Sequence, residues 1–175
     1  MWKIIVGLVV LAIAGLLIYA AFRPGVFRLQ RSTLIKAPPE RIFPLINDFK
    51  NWTAWSPWEK KDPASKRTYG GSEAGRGASY AWTGNRDVGE GRMEILDSTP
   101  SWRIAILLEF VKPFAARNNV EFVLKPEGDM TTVVWTMEGP QPYLAKLMGV
   151  FVSMDAMVGK DFEAGLTAMK AAAER

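Results

Sequence analysis

Histidine and cysteine are both absent from this sequence of 175 residues. Catalytic triads and dyads built on either residue are therefore excluded, as are the usual zinc sites. A disulfide framework is excluded too, and a chain without thiols is compatible with any redox compartment. The composition predicts no metal site and no cofactor.

Charge is absent from residues 4–22, a run of nineteen residues that would span about 28 Å as an α-helix. That length is close to the hydrocarbon thickness of a bilayer, and Trp2 and Tyr19 lie near its ends, where aromatic rings favour the interface. The alternatives are a cleaved signal peptide and a buried core helix. A signal peptide has a shorter apolar core, and Ile18-Tyr19-Ala20 is a poor cleavage site. The sequence therefore predicts a retained anchor in a single-pass protein of the cell membrane.

Basic residues are distributed unevenly around this run. Lys3 precedes it, whereas four basic residues follow it, namely Arg23, Arg28, Arg31 and Lys36. Basic residues favour the cytoplasmic side, so the following domain is expected in the cytoplasm, with the periplasmic side left open. Residues 23–67 hold ten Lys and Arg against four Asp and Glu, a segment that either lies against anionic headgroups or forms a solvated surface. No basic stripe with interleaved aromatics occurs, so nucleic-acid binding is not expected.

Arg23-Pro24-Gly25 breaks the apolar helix and divides the chain into an anchor at 1–25 and a soluble domain at 26–175. A first strand at 26–35 is followed by a helix that opens at Ala37-Pro38-Pro39-Glu40. Residues 51–58 then hold three Trp, and one helical turn would place Trp52 and Trp55 on the same face. The charged residues that flank this string, including Glu59 and Asp62, are expected in solvent.

Residues 66–138 show the alternation and the turn residues of a β-meander. Six further strands are predicted at 66–71, 77–84, 88–98, 101–111, 116–126 and 130–139. After Gly139-Pro140 the period becomes helical, and a long C-terminal helix carries its apolar residues on one face. The sequence thus predicts an α+β fold in which a curved seven-stranded antiparallel sheet wraps around a long C-terminal helix, with a transmembrane helix at the N-terminus.

Four strings carry a resemblance to a known superfamily. They are IKAPPERIF at 35–43, WTAWSPW at 52–58, YAWTGN at 80–85 running into VGEG at 88–91, and VGKDFEAGL at 158–166. Together with the order of elements, they resemble the SRPBCC superfamily, which includes START lipid-transfer domains and polyketide cyclases, and in particular its bacterial members with an N-terminal membrane segment. The resemblance covers about residues 26–174 and implies a helix-grip fold with a deep apolar cavity under the long helix. It carries over no catalytic residue, because the group shares a fold and not one chemistry.

Strand alternation predicts which side chains line that cavity or, alternatively, pack a filled core. The candidates are mainly Trp, Met and branched apolar residues, which suit an adaptable apolar pocket. On the strands they are Tyr80, Trp82, Met93, Ile95, Trp102, Ile104, Ile106, Leu108, Phe110, Val133, Trp135 and Met137, and on the helix Met154, Val158 and Phe162.

Three functions remain open at this level. The first is binding of a hydrophobic small molecule or lipid, next to the membrane that supplies it. The second is an enzyme of the polyketide cyclase or dehydratase type, which needs a buried carboxylate with a raised pKa; the candidates are Glu94, Asp97, Glu109, Glu121, Glu138 and Asp155. The absence of His weighs against it. The third is a non-catalytic interaction module with a filled core, and the oligomeric state is not predicted.

Overall fold

A computed structural model describes residues 1–175 of the protein. It contains seven strands: β1 (Val26–Ile35), β2 (Lys66–Gly71), β3 (Ala78–Thr83), β4 (Glu90–Thr99), β5 (Arg103–Lys112), β6 (Ala116–Glu127) and β7 (Met130–Pro140). They form one antiparallel sheet in the order β1-β7-β6-β5-β4-β3-β2. Strands β2 to β7 follow one another as a meander because their connections are short, and β1 completes the sheet beside β7. The predicted strands are confirmed, with small differences at their ends.

Five α-helices and one 3₁₀ helix accompany the sheet. They are α1 (Trp2–Phe22), α2 (Pro39–Asn47), the 3₁₀ helix (Phe49–Ala54), α3 (Pro57–Lys61), α4 (Tyr143–Met148) and α5 (Met154–Ala173). Pro39 occupies the first turn of α2, where its missing N–H costs nothing. The Ser153 hydroxyl begins α5 by accepting a hydrogen bond from the backbone N–H of Ala156 at 3.1 Å.

Helix α5 lies over one face of the sheet, here called the inner face, and packs mainly against β1, α2 and α3. Arg31 of β1 holds its N-terminal half, since the guanidinium bonds the Asp155 carboxylate at 2.6 Å and the Glu163 carboxylate at 2.8 Å. Near its C-terminal end, the Lys170 ammonium donates to the carbonyl oxygen of Leu34 at 2.9 Å. The predicted seven-stranded sheet with a long C-terminal helix is therefore confirmed.

The two faces of the sheet differ in chemistry because successive side chains point to opposite sides. The inward side chains of β6 are buried, namely Asn118, Val120, Phe122 and Leu124. The outer face carries ion pairs, such as that between Arg92 and Glu109 at 2.6 Å. The core of the domain thus lies between the inner face and the helices.

Helix α1 stands apart from this core. It is long and apolar enough to cross a membrane, and Ala20 is its one buried residue, whereas a core helix would be mostly buried. Its last turns contact α4, where the Tyr143 hydroxyl donates to the carbonyl oxygen of Leu17 at 3.0 Å. Arg23, in extended backbone, ends the helix.

Candidate ligand-binding recess

Aromatic side chains fill the middle of the space between the inner face and α5. Trp52 of the 3₁₀ helix and Trp55, the residue that caps it, lie on the same side as predicted, with ring centroids 4.7 Å apart. Trp55 meets Trp135 of β7 at 5.5 Å, and Trp135 stacks on Phe162 of α5 at 3.9 Å. The indole N–H groups of Trp52 and Trp55 donate to backbone carbonyls of α2. Because all four side chains are buried, the centre of the expected cavity is a packed aromatic core.

Burial decreases toward the end of the sheet at which α1 joins β1. Trp82, Gly91 and Phe110 lie side by side there on β3, β4 and β5, and the rings of Trp82 and Phe110 meet edge to face at 5.8 Å. Gly91 makes this possible, because a Cβ at that residue would lie 2.6 Å from the Trp82 ring. The space between this end of the inner face and the start of α5 is here called the recess. Its six apolar side chains are only partly buried: Trp58, Trp82, Leu108, Phe110, Met154 and Val158.

Asn118 of β6 lies on the inner face beside this recess. It pairs in register with Leu108, keeps 6% of its surface exposed, and lies over Gly139, where a Cβ would collide with the amide oxygen. Its side-chain amide makes no hydrogen bond within the protein, but the amide is not completely shielded from solvent. A buried amide without a partner costs about 1–3 kcal/mol. Asn118 is therefore a polar group without a protein partner on the inner face, next to Leu108.

The predicted cavity residues fall into three groups. Nine are inward and buried in the core, namely Tyr80, Met93, Ile95, Ile104, Ile106, Val133, Trp135, Met137 and Phe162. Five line the recess, namely Trp82, Leu108, Phe110, Met154 and Val158. Contact of either group with a ligand stays a prediction, while the positions themselves show that alternation along the strands was read correctly.

Trp102 is the exception, and its expected inward position is wrong. It lies in the turn before β5 and is 55% exposed. Ser101, with a φ of 56°, adopts the left-handed conformation in this turn, so the regular alternation of β5 begins only at Arg103. Sequence reasoning extended the strand by two residues and thereby assigned Trp102 to the wrong surface.

The six candidate carboxylates do not face the recess. Four of them bind arginines on the outer face: Glu109 with Arg92, Asp97 and Glu121 with Arg103, and Glu138 with Arg28. Glu94 is exposed on β4, and Asp155 is held by Arg31. The alternation that brings apolar residues inward sends the five acids on the strands outward. No catalytic role is supported for them.

Glu59 of α3 is the carboxylate that does point inward, which corrects its expected position in solvent. Its side chain is 11% exposed and lies 2.7 Å from the Nε of Arg67, and it accepts a hydrogen bond from the Tyr80 hydroxyl at 2.7 Å. Burial, followed by this hydrogen bond, raises the pKa of Tyr80. Asp62 is buried as well, and it accepts from the backbone N–H of Asn85 at 2.7 Å.

Both corrections have one physical cause. Helix α3 is a single short turn that packs against α5, and from it the Glu59 side chain reaches Arg67 of β2 and Tyr80 of β3, so the residues after Trp58 cannot all reach solvent. A sequence signal existed, since Arg67 and Tyr80 both fall on inward positions of neighbouring strands and require a polar partner. Glu59 meets this requirement, which makes it a structural anion and not a free acid.

Two cavities are bounded partly by the charged outer face. One of about 410 Å³ is lined by Arg92, Glu109, Phe110, Val111 and Arg117 among others, so it adjoins the recess at Phe110. The other, of about 230 Å³, is lined by Arg28, Arg103 and Glu138 among others. Neither is lined by a residue of α5.

A sheet that holds a long C-terminal helix on its inner face defines the helix-grip class of α+β folds, and the partly buried residues of the recess lie at one end of this arrangement. The chain belongs to the family described as polyketide cyclase / dehydrase and lipid transport, whose profile matches residues 26–174. The resemblance that four strings of the sequence indicated is thereby confirmed. No curated protein matches the chain.

Solved structures share this fold at low sequence identity. A Chromobacterium violaceum protein is 17% identical with a TM-score of 0.58, over 87% of this chain and 99% of that one. Aha1 of Colwellia psychrerythraea, solved as a dimer, is 14% identical with a TM-score of 0.60, over 85% and 96% of the two chains. A Thermus thermophilus protein is 21% identical with a TM-score of 0.57, over 84% and 97%. Identities this low show the fold and not the ligand.

Proposed function

We propose that the protein binds a hydrophobic small molecule or lipid in the recess while α1 holds it in the membrane. The observation that carries this proposal is the pairing of partly exposed apolar side chains with the unpaired amide of Asn118. Apolar walls with one reachable polar group are the usual chemistry of a small-molecule site. The family, with its lipid-transport members, supports the same class of ligand.

The recess also limits the charge that a bound ligand can carry. None of its six side chains is charged, and the nearest charged group on the inner side of β1, Arg31, is neutralised by Asp155 and Glu163. A buried ligand charge would remain unpaired and would cost several kcal/mol. The ligand is therefore uncharged where it is buried, with a carbonyl or hydroxyl group for Asn118. Each Å² of apolar surface that enters contributes about 25 cal/mol.

The proposed anchor keeps the recess close to its source of ligand. Helix α1 has the length and apolar composition of a span and is exposed along nearly its whole length. Basic residues after the helix favour a cytoplasmic position for the domain. A cleaved signal segment has the same composition as a membrane anchor. The length of the mature protein isolated from membranes therefore distinguishes a retained anchor from a cleaved signal.

The packed aromatic core favours a second candidate function, an interaction module that binds no small molecule. In that case Trp58 and Trp82 would close over the recess, and the protein would retain no ligand. The enzyme hypothesis has less support, because the inward carboxylate of Glu59 is bound to Arg67 and Tyr80.

Photolabelling of the full-length protein in lipid nanodiscs tests the proposal. The probe is a long-chain alcohol that carries a diazirine, and the labelled peptides are identified by mass spectrometry. We expect labels on the peptides that contain Phe110 and Val158, and their loss when unlabelled alcohol competes. Labels confined to α1 would contradict ligand binding in the recess and would support the membrane anchor. The absence of labels from α1 and from the recess would contradict both the anchor and the binding site.

A further inference from the structure

Exposed apolar side chains form a continuous surface on α4 and the loop that follows it. Five of them, here called the α4 patch, have between 47% and 72% of their surface exposed: Tyr143, Leu144, Met148, Phe151 and Val152. Single exposed apolar residues are normal, but a contiguous group of this size marks a surface that contacts something other than water.

The chain around the patch lacks negative charge. Residues 139–154 contain one charged residue, Lys146, and no Asp or Glu. Of the two flanking carboxylates, Glu138 lies 3.6 Å from Arg28 and Asp155 lies 2.6 Å from Arg31, so each has a cation beside it, although Arg31 is shared with Glu163. An apolar surface with a basic border is complementary to phospholipid headgroups and the acyl chains beneath them.

Contacts with α1 fix where the patch lies. The Tyr143 hydroxyl donates to the carbonyl oxygen of Leu17, and at the other end of α4 the Arg23 guanidinium lies beside Gly149. Helix α4 therefore runs along the last turns of α1. Leu17 precedes Phe22 by five residues, or about 7.5 Å of helix, so the start of α4 lies beside the apolar part of α1.

We propose that the α4 patch inserts into the interfacial layer of the membrane that holds α1. This inference rests on the proposed anchor, because a spanning α1 places Tyr143 at the depth where aromatic rings favour the interface. The β5–β6 connection lies at the same end of the sheet and presents Phe114, which is 76% exposed. The domain is thus attached at two places, and the recess, whose Phe110 lies two residues before the end of β5, opens toward lipid.

Spin labels on single cysteines test this insertion, and the absence of native cysteine removes any background labelling. Leu144→Cys and Phe151→Cys report on the patch, and Leu11→Cys reports on the middle of α1. Trp102→Cys is the control, since it is also mainly exposed, at 55%, but lies at the other end of β5, about 30 Å along the strand from the β5–β6 connection. The full-length protein is placed in nanodiscs of phosphatidylcholine and phosphatidylglycerol, and paramagnetic resonance measures access to oxygen and to a water-soluble nickel chelate.

We expect nickel access at residues 144 and 151 to be several-fold lower than at residue 102, with oxygen access raised, as at residue 11. If residue 11 reports lipid while residues 144 and 151 report water, the insertion is wrong and the anchor stands. If residue 11 also reports water, the anchor itself is wrong. Low access to both agents at residues 144 and 151 would assign the patch to a protein partner and would likewise overturn the proposal.

Discussion

Gly165 of α5 and Trp135 of β7 face each other with no space for a side chain between them. A Cβ on residue 165 would lie 2.9 Å from Cζ3 of Trp135 and 3.1 Å from Cδ of Pro57. The indole cannot move aside, because it is stacked between Phe122 and Phe162. This glycine allows α5 to pack closely against the aromatic core. The close packing fills the centre of the domain, whereas the recess lies nearer the start of α5.

Gly165→Ala therefore lowers the free energy of unfolding by about 1–3 kcal/mol, because overpacking exceeds the gain of about 1 kcal/mol in helix propensity. Gly159→Ala in the same helix is the control, since its Cβ meets the Arg31 guanidinium at 2.6 Å, the end of a long side chain that can shift more easily than a stacked indole. We expect the control to change stability by less than Gly165→Ala does. Urea denaturation measures both, and equal stability of the two variants would contradict the close packing.

Glu59→Gln removes the anion that Arg67 and Tyr80 share. Arg67 remains partly buried without a counter-charge, so we expect a loss of about 2 kcal/mol, below the range for fully buried pairs because its side chain is 21% exposed. Glu94→Gln on the exposed face of β4 is the matched control and is expected to stay within about 0.5 kcal/mol of the wild type. Loss of the same size in both variants would show that the Glu59 network contributes nothing specific.

Tyr80 makes stability depend on pH in the alkaline range. Burial, followed by the hydrogen bond to Glu59, raises its pKa in the folded protein above the ordinary value of 10. The folded state therefore holds its proton more tightly than the unfolded state, and the stability that the neutral phenol contributes is lost as the pH rises above about 10. We expect the free energy of unfolding to fall less steeply above that pH in Tyr80→Phe. A variant whose stability falls as steeply as that of the wild type would contradict this assignment.

Asn118→Leu separates stability from ligand binding. Replacing a buried, unpaired amide by an apolar side chain of similar size is expected to leave stability unchanged or to raise it by about 1 kcal/mol. Labelling by the long-chain alcohol should fall about fivefold, which corresponds to one neutral hydrogen bond of about 1 kcal/mol. Asn119→Leu is the matched control, because Asn119 is exposed on the opposite face. A parallel loss of stability and labelling in Asn118→Leu alone would indicate a structural role.

Regular alternation made most of the sheet predictable. From Ile104 to Phe110 every second residue of β5 faces inward, as the pattern indicated, and Trp52 lies beside Trp55, three residues later, at the end of the 3₁₀ helix. Both results follow from local geometry, which the sequence expresses directly. The prediction for Trp102 was wrong because the turn before β5 contains Ser101 in the left-handed conformation. The local sequence does not indicate that Ser101 adopts it.

The site was less predictable because its features depend on contacts between distant segments. Whether the space under α5 is open or filled depends on how Trp55, Trp135 and Phe162 stack, and these residues come from three separate elements. The inward position of Glu59 likewise depends on how α3 rests on β2 and β3. The position of Asn118 could not be predicted, because the sequence does not show whether a buried amide finds a hydrogen-bond partner.

Native mass spectrometry of the full-length protein, released from nanodiscs prepared from its own membrane lipids, tests the central claim most directly. The account predicts that the wild type retains one hydrophobic molecule and that Val158→Trp, which fills the recess, does not. Lys160→Trp on the exposed side of α5 is the control and should retain the molecule. A wild-type protein without a bound molecule, or equal retention by the wild type and Val158→Trp, would contradict ligand binding in the recess.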